Sequence, residues 1–362
     1  MKKVPGLYVA AATNQSIGKT AFCIGLALKL QEEGIKVGYF KPLDWQITLK
    51  SGQPIGEDAL LMKHVLKLEE PLAVITPILL EYQYLDQYSP QQTATLPDKI
   101  NIAYQQISKG KDLMIMEALH EPCLGASLNL SAVELAKRLN SELLLVSTTY
   151  RDTALDEILF EYLYTVKKVT KCAGMVFNRV RKPIDKRLKT VVVPMLEKQG
   201  IHVWGLIPET IPLTAPTVKE LAETLGGKLL CGEENVSNLV ERYLVGAMTQ
   251  ESAIRYFRKA PRKVVITGGD RSDIALAAIE TDTSALILTG DLYPDVRVLA
   301  RAKEKGIPVI LVSYDTFTTM ERTHDITGKI KIGDDKRINL AKELVSKYVD
   351  WKGLLSCLGV TR

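Results

Sequence analysis

Ten residues near the N-terminus, Ala11-Ala12-Thr13-Asn14-Gln15-Ser16-Ile17-Gly18-Lys19-Thr20, have the types and spacing of a phosphate cradle. Gly18 lets backbone amides close on an anion, and a helix opening beside it turns unpaired N–H groups toward the same point. Lys19 can neutralise β- and γ-phosphate oxygens, and the Thr20 hydroxyl can ligate Mg²⁺. The full pattern asks for glycine where this chain has Thr13. The plainer alternative is a strand-to-helix turn whose lysine is merely exposed. The chemistry expected of the loop is binding of ATP with Mg²⁺.

Such a site needs carboxylates for the metal besides the loop hydroxyl. Asp58, in Gly56-Glu57-Asp58-Ala59, and Glu117, ending the apolar run 113–116, are the candidates. A carboxylate at the carboxyl end of a parallel strand lies where such sheets bind ligands. The plain alternatives are a helix-terminal charge for Asp58 and a capped loop carboxylate for Glu117. Lys41 also ends an apolar run, 36–40, and would face the γ-phosphate side; otherwise it is an exposed lysine before the turn-forming Pro42.

These residues need a frame. Short apolar runs at 7–11, 36–40, 113–116, 143–147, 174–177 and 203–207 read as strands. Helical spacing at 20–33, 131–139, 153–169 and 184–199 separates several of them, which predicts βα units and a largely parallel sheet. The proline- and tyrosine-rich stretch 76–97 shows no period and reads as an irregular excursion. A helix at 217–225 precedes the polar Gly232-Glu233-Glu234-Asn235, taken as a boundary between domains 1–231 and 232–362. The second domain repeats the alternation, with strands at 264–267, 285–289 and 309–312 and helices at 272–281, 294–305 and 335–348.

Composition bounds the function classes. At 46% hydrophobic and 25% charged, 362 residues are enough for two cores and unlike a disordered or fibrous chain. The excess of 47 basic over 42 acidic residues is diffuse, so nucleic acid is not expected as a partner. Cys23, Cys123, Cys172, Cys231 and Cys357 are scattered without metal-type pairing. With no apolar run of membrane-spanning length and no leader pattern, the expectation is a reduced, cytoplasmic protein with no membrane partner.

Residues 13–20 resemble the loop of dethiobiotin synthetases, in which threonine also replaces the first glycine, and Val37-Gly38-Tyr39-Phe40-Lys41-Pro42 resembles that family's second strand. The whole chain is similar to the N-terminal and middle regions of long bacterial phosphotransacetylases. There a DRTGG-type domain follows, resembled here by Val264–Asp273 and Leu286–Gly290. The resemblance implies an α/β parallel-sheet P-loop NTPase domain of dethiobiotin synthetase type, then a smaller α/β DRTGG-type domain. It implies magnesium at Asp58 and Glu117 and a substrate- and phosphate-contacting Lys41. It also implies a base-side strand ending in Asn178, whose amide suits adenine, with Pro208 and Glu209 on the next loop.

The chain departs from the synthetases at Leu43-Asp44-Trp45-Gln46 and at Ala118-Leu119-His120-Glu121-Pro122, where the family has small, hydroxyl or glycine residues. Diaminopelargonate carboxylation is therefore not expected. Nor is phosphotransacetylase activity, because the sequence offers no counterpart of that catalytic domain. The four histidines, His64, His120, His202 and His324, form no readable triad with Cys231 or Cys357, and His120 beside Glu117 reads as a bystander or a proton shuttle. Gly268-Gly269-Asp270-Arg271, Thr289-Gly290-Asp291 and Asp315-Thr316 read either as tight turns or as a pocket for a small ligand or nucleotide. Three readings follow: a nucleotide-dependent regulator or sensor, an ATP-dependent ligase acting on a carboxylate or carbamate acceptor held by Lys41, and a scaffold without chemistry. The resemblance also implies a homodimer.

Overall fold

A computed structural model describes residues 4–12, 17–50, 52–81, 83–119, 122–148, 152–166, 170–324, 326 and 328–360. The chain folds as two compact units, Met1–Glu209 with Ile330–Arg362, and Thr210–Lys329.

In the first unit the apolar runs become strands: β1 (Gly6–Ala11), β2 (Val37–Phe40), β3 (Leu43–Asp44), β4 (Ile47–Lys50), β5 (Gln53–Gly56), β6 (Ile78–Leu79), β7 (Leu113–Glu117), β8 (Glu142–Ser147), β9 (Cys172–Val180) and β10 (Val203–Pro208). Six of them form one parallel sheet in the order β10-β9-β8-β1-β7-β2. Every residue of β1, β2 and β7 is buried. Helices cover both faces of such a sheet, so its inner strands read as unbroken apolar runs. The short β3 pairs with β6, and β4 with β5 as a hairpin. The stretch expected to be irregular through position 97 is a helix from Pro90 to Ile107. Its start is a capping box: Gln92 N–H donates to Ser89 Oγ at 3.3 Å, and Ser89 N–H donates to Gln92 Oε1 at 2.9 Å. Pro90 at the first helical position costs no hydrogen bond, whereas Pro97 lies inside the helix and gives up one backbone donor, so the helix forms despite its proline content.

The last segment returns to this unit. The helix Asp335–Tyr348 buries Ile338, Ala341 and Val345 in the same core as β1 and β7. It lies against helix α1 (Lys19–Glu32) so closely that a Cβ on Gly25 would sit 2.4 Å from the Ala341 carbonyl oxygen. Asp350 N–H then donates to Trp204 O of β10 at 2.7 Å.

The second unit carries β11 (Lys228–Cys231), β12 (Arg242–Val245), β13 (Lys263–Gly268), β14 (Thr283–Thr289) and β15 (Val309–Leu311), in the order β11-β15-β14-β13-β12. Only β11 runs antiparallel to its neighbour. The compact units divide the chain differently from the expected boundary after residue 231. Val218, Leu221 and Leu225 pack with Val264, Ile266 and Ile287, so helix Val218–Leu225 and β11 belong to the second unit. Residues 330–362 belong to the first. The polar stretch at 232–235 is a turn within the unit, tied down by Asn235 Nδ2 donating to Gly306 O at 2.6 Å. No helix among the described residues is long and apolar enough to cross a membrane.

Candidate functional site

Register brings the expected residues to the carboxyl edge of the six-stranded sheet, where parallel sheets bind ligands. β7 lies between β1 and β2, with Val9 opposite Glu117 and Phe40 opposite Met116. Lys41 therefore leaves β2 beside Glu117, and α1 begins beyond β1 with Lys19 and Thr20. Gly18 precedes α1 at φ +77°, in the left-handed region, and among the described residues no side chain caps α1. A Cβ there would lie 2.8 Å from Asn178 Nδ2. Thr13, Asn14, Gln15, Ser16 and His120 lie outside the described residues.

Glu117 is the hub. It is 2% exposed. The Thr20 hydroxyl donates to its Oε1 at 2.7 Å, and the Tyr39 hydroxyl donates to its Oε2 at 2.9 Å. Asp58, in the first turn of helix Glu57–Val65, receives a hydrogen bond from the Lys41 ammonium. Lys41 Nζ also lies 3.3 Å from Asp44 Oδ1. Burial works against the charge on Lys41, but Asp58, Glu117 and Asp44 outweigh it and hold the ammonium well above the ordinary lysine range. Burial pulls Lys19 below that range, with Glu117 opposing. It pushes Glu117 and Asp44 above the usual carboxylate range, with Lys41 opposing in each case.

Thr20 thus meets Glu117, and the Lys41 ammonium meets Asp58 and Asp44, at a sheet edge where Lys19, Lys41, Glu117 and Asp44 are buried and Asp58 is partly exposed. The set fits Mg²⁺ with a nucleotide: the oxygen donors of Thr20, Glu117 and Asp58 suit a hard cation, and Lys19 and Lys41 suit phosphoryl oxygens. Among the described residues no three His, Cys, Asp or Glu side chains form a metal cage. Mg²⁺ does not need one, since it keeps several waters and binds through one or two carboxylates plus phosphate.

Asn178, expected on the base side, donates from Nδ2 to Ile17 O at 2.7 Å, and its Oδ1 accepts from Arg179 N–H at 2.9 Å. Both ends of the amide are engaged, and the residue ties down Ile17 just before Gly18. Pro208 pairs with Val180 across β9 and β10, and Glu209 forms an ion pair with Arg181 at 2.8 Å.

Residues 6–217, more than half of the chain, match the AAA domain family. The chain belongs to the AAA domain family. A DRTGG domain follows at residues 220–326. The phosphate acetyltransferase of Pseudomonas putida is 26% identical over 98% of this chain and 52% of its own length. The chain spans about half the length of the phosphate acetyltransferases it matches. Among solved structures, the MinC:MinD cell division complex of Aquifex aeolicus is 17% identical over 58% of this chain and 84% of that one, with a TM-score of 0.37. The CBS and DRTGG domains of the regulatory region of Clostridium perfringens pyrophosphatase, complexed with the activator diadenosine tetraphosphate, are 24% identical over 36% of this chain and 60% of that one, with a TM-score of 0.28.

Within the AAA domain, sequence reasoning missed two members of the cluster. Tyr39 alternates with nothing polar in a fully buried strand, so only the hydroxyl's partner reveals it. Asp44 stood out only as a departure from the synthetase pattern; an acidic residue three places after a strand-end lysine was the available signal. In the DRTGG domain the expected turns bond among themselves. Arg271 Nη2 donates to Met248 O at 3.1 Å and to Asp273 Oδ2 at 2.8 Å, and the Thr289 and Thr316 hydroxyls meet at 2.9 Å.

Proposed function

We propose that the AAA domain binds Mg-ATP and that its occupancy is read out through the DRTGG domain, so that the protein works as a nucleotide-dependent regulator or sensor. The observation that supports this reading is the Thr20–Glu117 hydrogen bond, flanked by buried Lys19 and Lys41 at the sheet's carboxyl edge. In this reading Lys19 and the first amides of α1 hold the phosphates. Thr20, Glu117 and Asp58 hold the metal, which supplies charge neutralisation between phosphoryl oxygens. Lys41 reports the γ-phosphate. The resemblance to proteins in which DRTGG-type domains accompany regulation and oligomerisation supports the second half.

A second reading, an ATP-dependent ligase or synthetase acting on a carboxylate or carbamate, is supported by the same Lys41. A buried ammonium among carboxylates at a sheet edge could stabilise charge developing on a transferred phosphoryl group. The sensor reading is preferred because Asp44 and Trp45 follow Lys41 where the synthetases carry small residues. Calorimetric titration of the full chain with ATP, with and without Mg²⁺, tests the reading: Mg²⁺-dependent binding is expected, and no binding in either condition would sink it.

A further inference from the structure

We propose that Asp44 is an alternate counter-ion for Lys41, so that a divalent cation arriving at Asp58 passes the lysine ammonium to Asp44. This rests on the Mg-ATP reading and names a regulatory element of the same site.

Three observations carry it. Asp44 is fully buried, held by the pairing of β3 with β6 and by Leu80 N–H donating to Asp44 O at 2.8 Å. Its Oδ1 accepts from Gln46 N–H at 3.0 Å and lies 3.3 Å from Lys41 Nζ, yet its Oδ2 has no hydrogen-bond partner among the described residues. A buried carboxylate oxygen left without a donor is costly, and a donor brought by a second arrangement of its neighbours would offset that cost. Asp58, the other partner of Lys41, has 16% of its side chain exposed and stands at a helix start, so it meets solvent first.

The two carboxylates therefore differ in access. A cation entering from solvent competes with the Lys41 ammonium for Asp58, because two positive charges cannot share one carboxylate without repulsion. Without Asp44 the displaced ammonium would have to leave the buried site or hold the cation off. With Asp44, the open Oδ2 accepts one of the three ammonium N–H groups, and the lysine stays at the sheet edge facing the phosphates. Asp44 acts through Lys41 and is a positioning residue.

The test reads the ratio of ATP dissociation constants in EDTA and in excess MgCl₂, measured by calorimetry on the full chain. In wild type, Mg²⁺ should tighten binding. Asp44→Asn should reduce that ratio on the order of tenfold, the change expected when about 1.4 kcal/mol of coupling is lost. Asp44→Glu, which keeps the charge, should restore most of it. In a Lys41→Met background, Asp44→Asn should change the ratio no further, which a merely structural role would not produce. An unchanged ratio in Asp44→Asn, or an equal loss in the Lys41→Met background, overturns the proposal. If wild type binds no ATP in either condition, the Mg-ATP reading itself has failed. Should Asp44→Asn not fold, wild type labelled with ¹⁵N-lysine serves. Addition of MgCl₂ and ATP should move the Lys41 ammonium resonance, identified by its loss in Lys41→Met, while it stays protected from exchange. A resonance that does not move, or that vanishes into exchange, overturns the proposal.

Discussion

The Thr20 hydroxyl donates to Glu117 at 2.7 Å although 97 positions separate the two residues. One opens the first helix and the other closes the strand beside β1, so the metal-binding pair of the proposed site is preassembled by sheet order alone. Preassembly keeps the ordering cost out of the binding step, and it makes the consequences of single changes calculable.

Lys19 lies at the start of α1 and is 6% exposed. Lys19→Ala removes a charge-assisted contact to phosphate worth on the order of 1.5–3 kcal/mol. Calorimetry should show Mg-ATP affinity falling by that amount. Superimposable titrations of wild type and variant would contradict the phosphate-cradle role.

For Lys41 the two functional readings diverge. In a sensor, Lys41→Ala should erode the preference for ATP over ADP and barely change an already slow phosphate release. In a ligase, the same change should leave nucleotide preference intact and cost about 10²–10³ in single-turnover rate, the usual effect of removing one electrostatic donor to a transition state. The first outcome is expected; the second would restore the enzyme reading.

Asn178 links the Ile17 carbonyl to the Arg179 amide. As a brace, Asn178→Ala should weaken ATP and GTP alike. Selective loss of ATP affinity would instead assign the amide to adenine.

Lys263 offers a pH test in the DRTGG domain. Its side chain is buried, donates to Thr281 Oγ1 and Asp282 O at 2.8 Å each, and burial pushes its pKa down to about 8. Between pH 8 and the ordinary lysine value near 10.4 the unfolded chain binds more protons at this residue, so its contribution to stability rises with pH. Below pH 8 both states are charged and the burial cost is fully present. Relative to wild type, Lys263→Met should therefore be most stable near neutrality, and the advantage should shrink toward pH 10 in denaturant unfolding. A pH-independent difference would remove the assignment.

Assembly is the last expectation. The resemblance to dimeric families predicts a homodimer, so light scattering at micromolar concentration should report twice 40.2 kDa. A monomer with and without ATP would end that expectation.

Much of this was determined locally. The Gly18-Lys19-Thr20 turn, the buried strands 7–11 and 113–116 and the strand-end positions of Lys41 and Glu117 follow from residue type and short-range period, because a parallel sheet buried on both faces needs unbroken apolar runs. The helix at Pro90 was legible too, in its capping box, had the prolines not outweighed it. Tertiary structure decided what depends on distant partners. That β7 inserts between β1 and β2, and so puts Glu117 between Thr20 and Lys41, is a matter of strand order, which no local pattern encodes. That Asp44 faces Lys41 depends on β3 meeting β6 across the 33 residues between them, and its open Oδ2 exists only once that pairing is made. The placement of residues 330–362 was equally hidden: an amphipathic helix declares that one face will be buried, but not which core receives it, and here the core was the one built by the first strand of the chain.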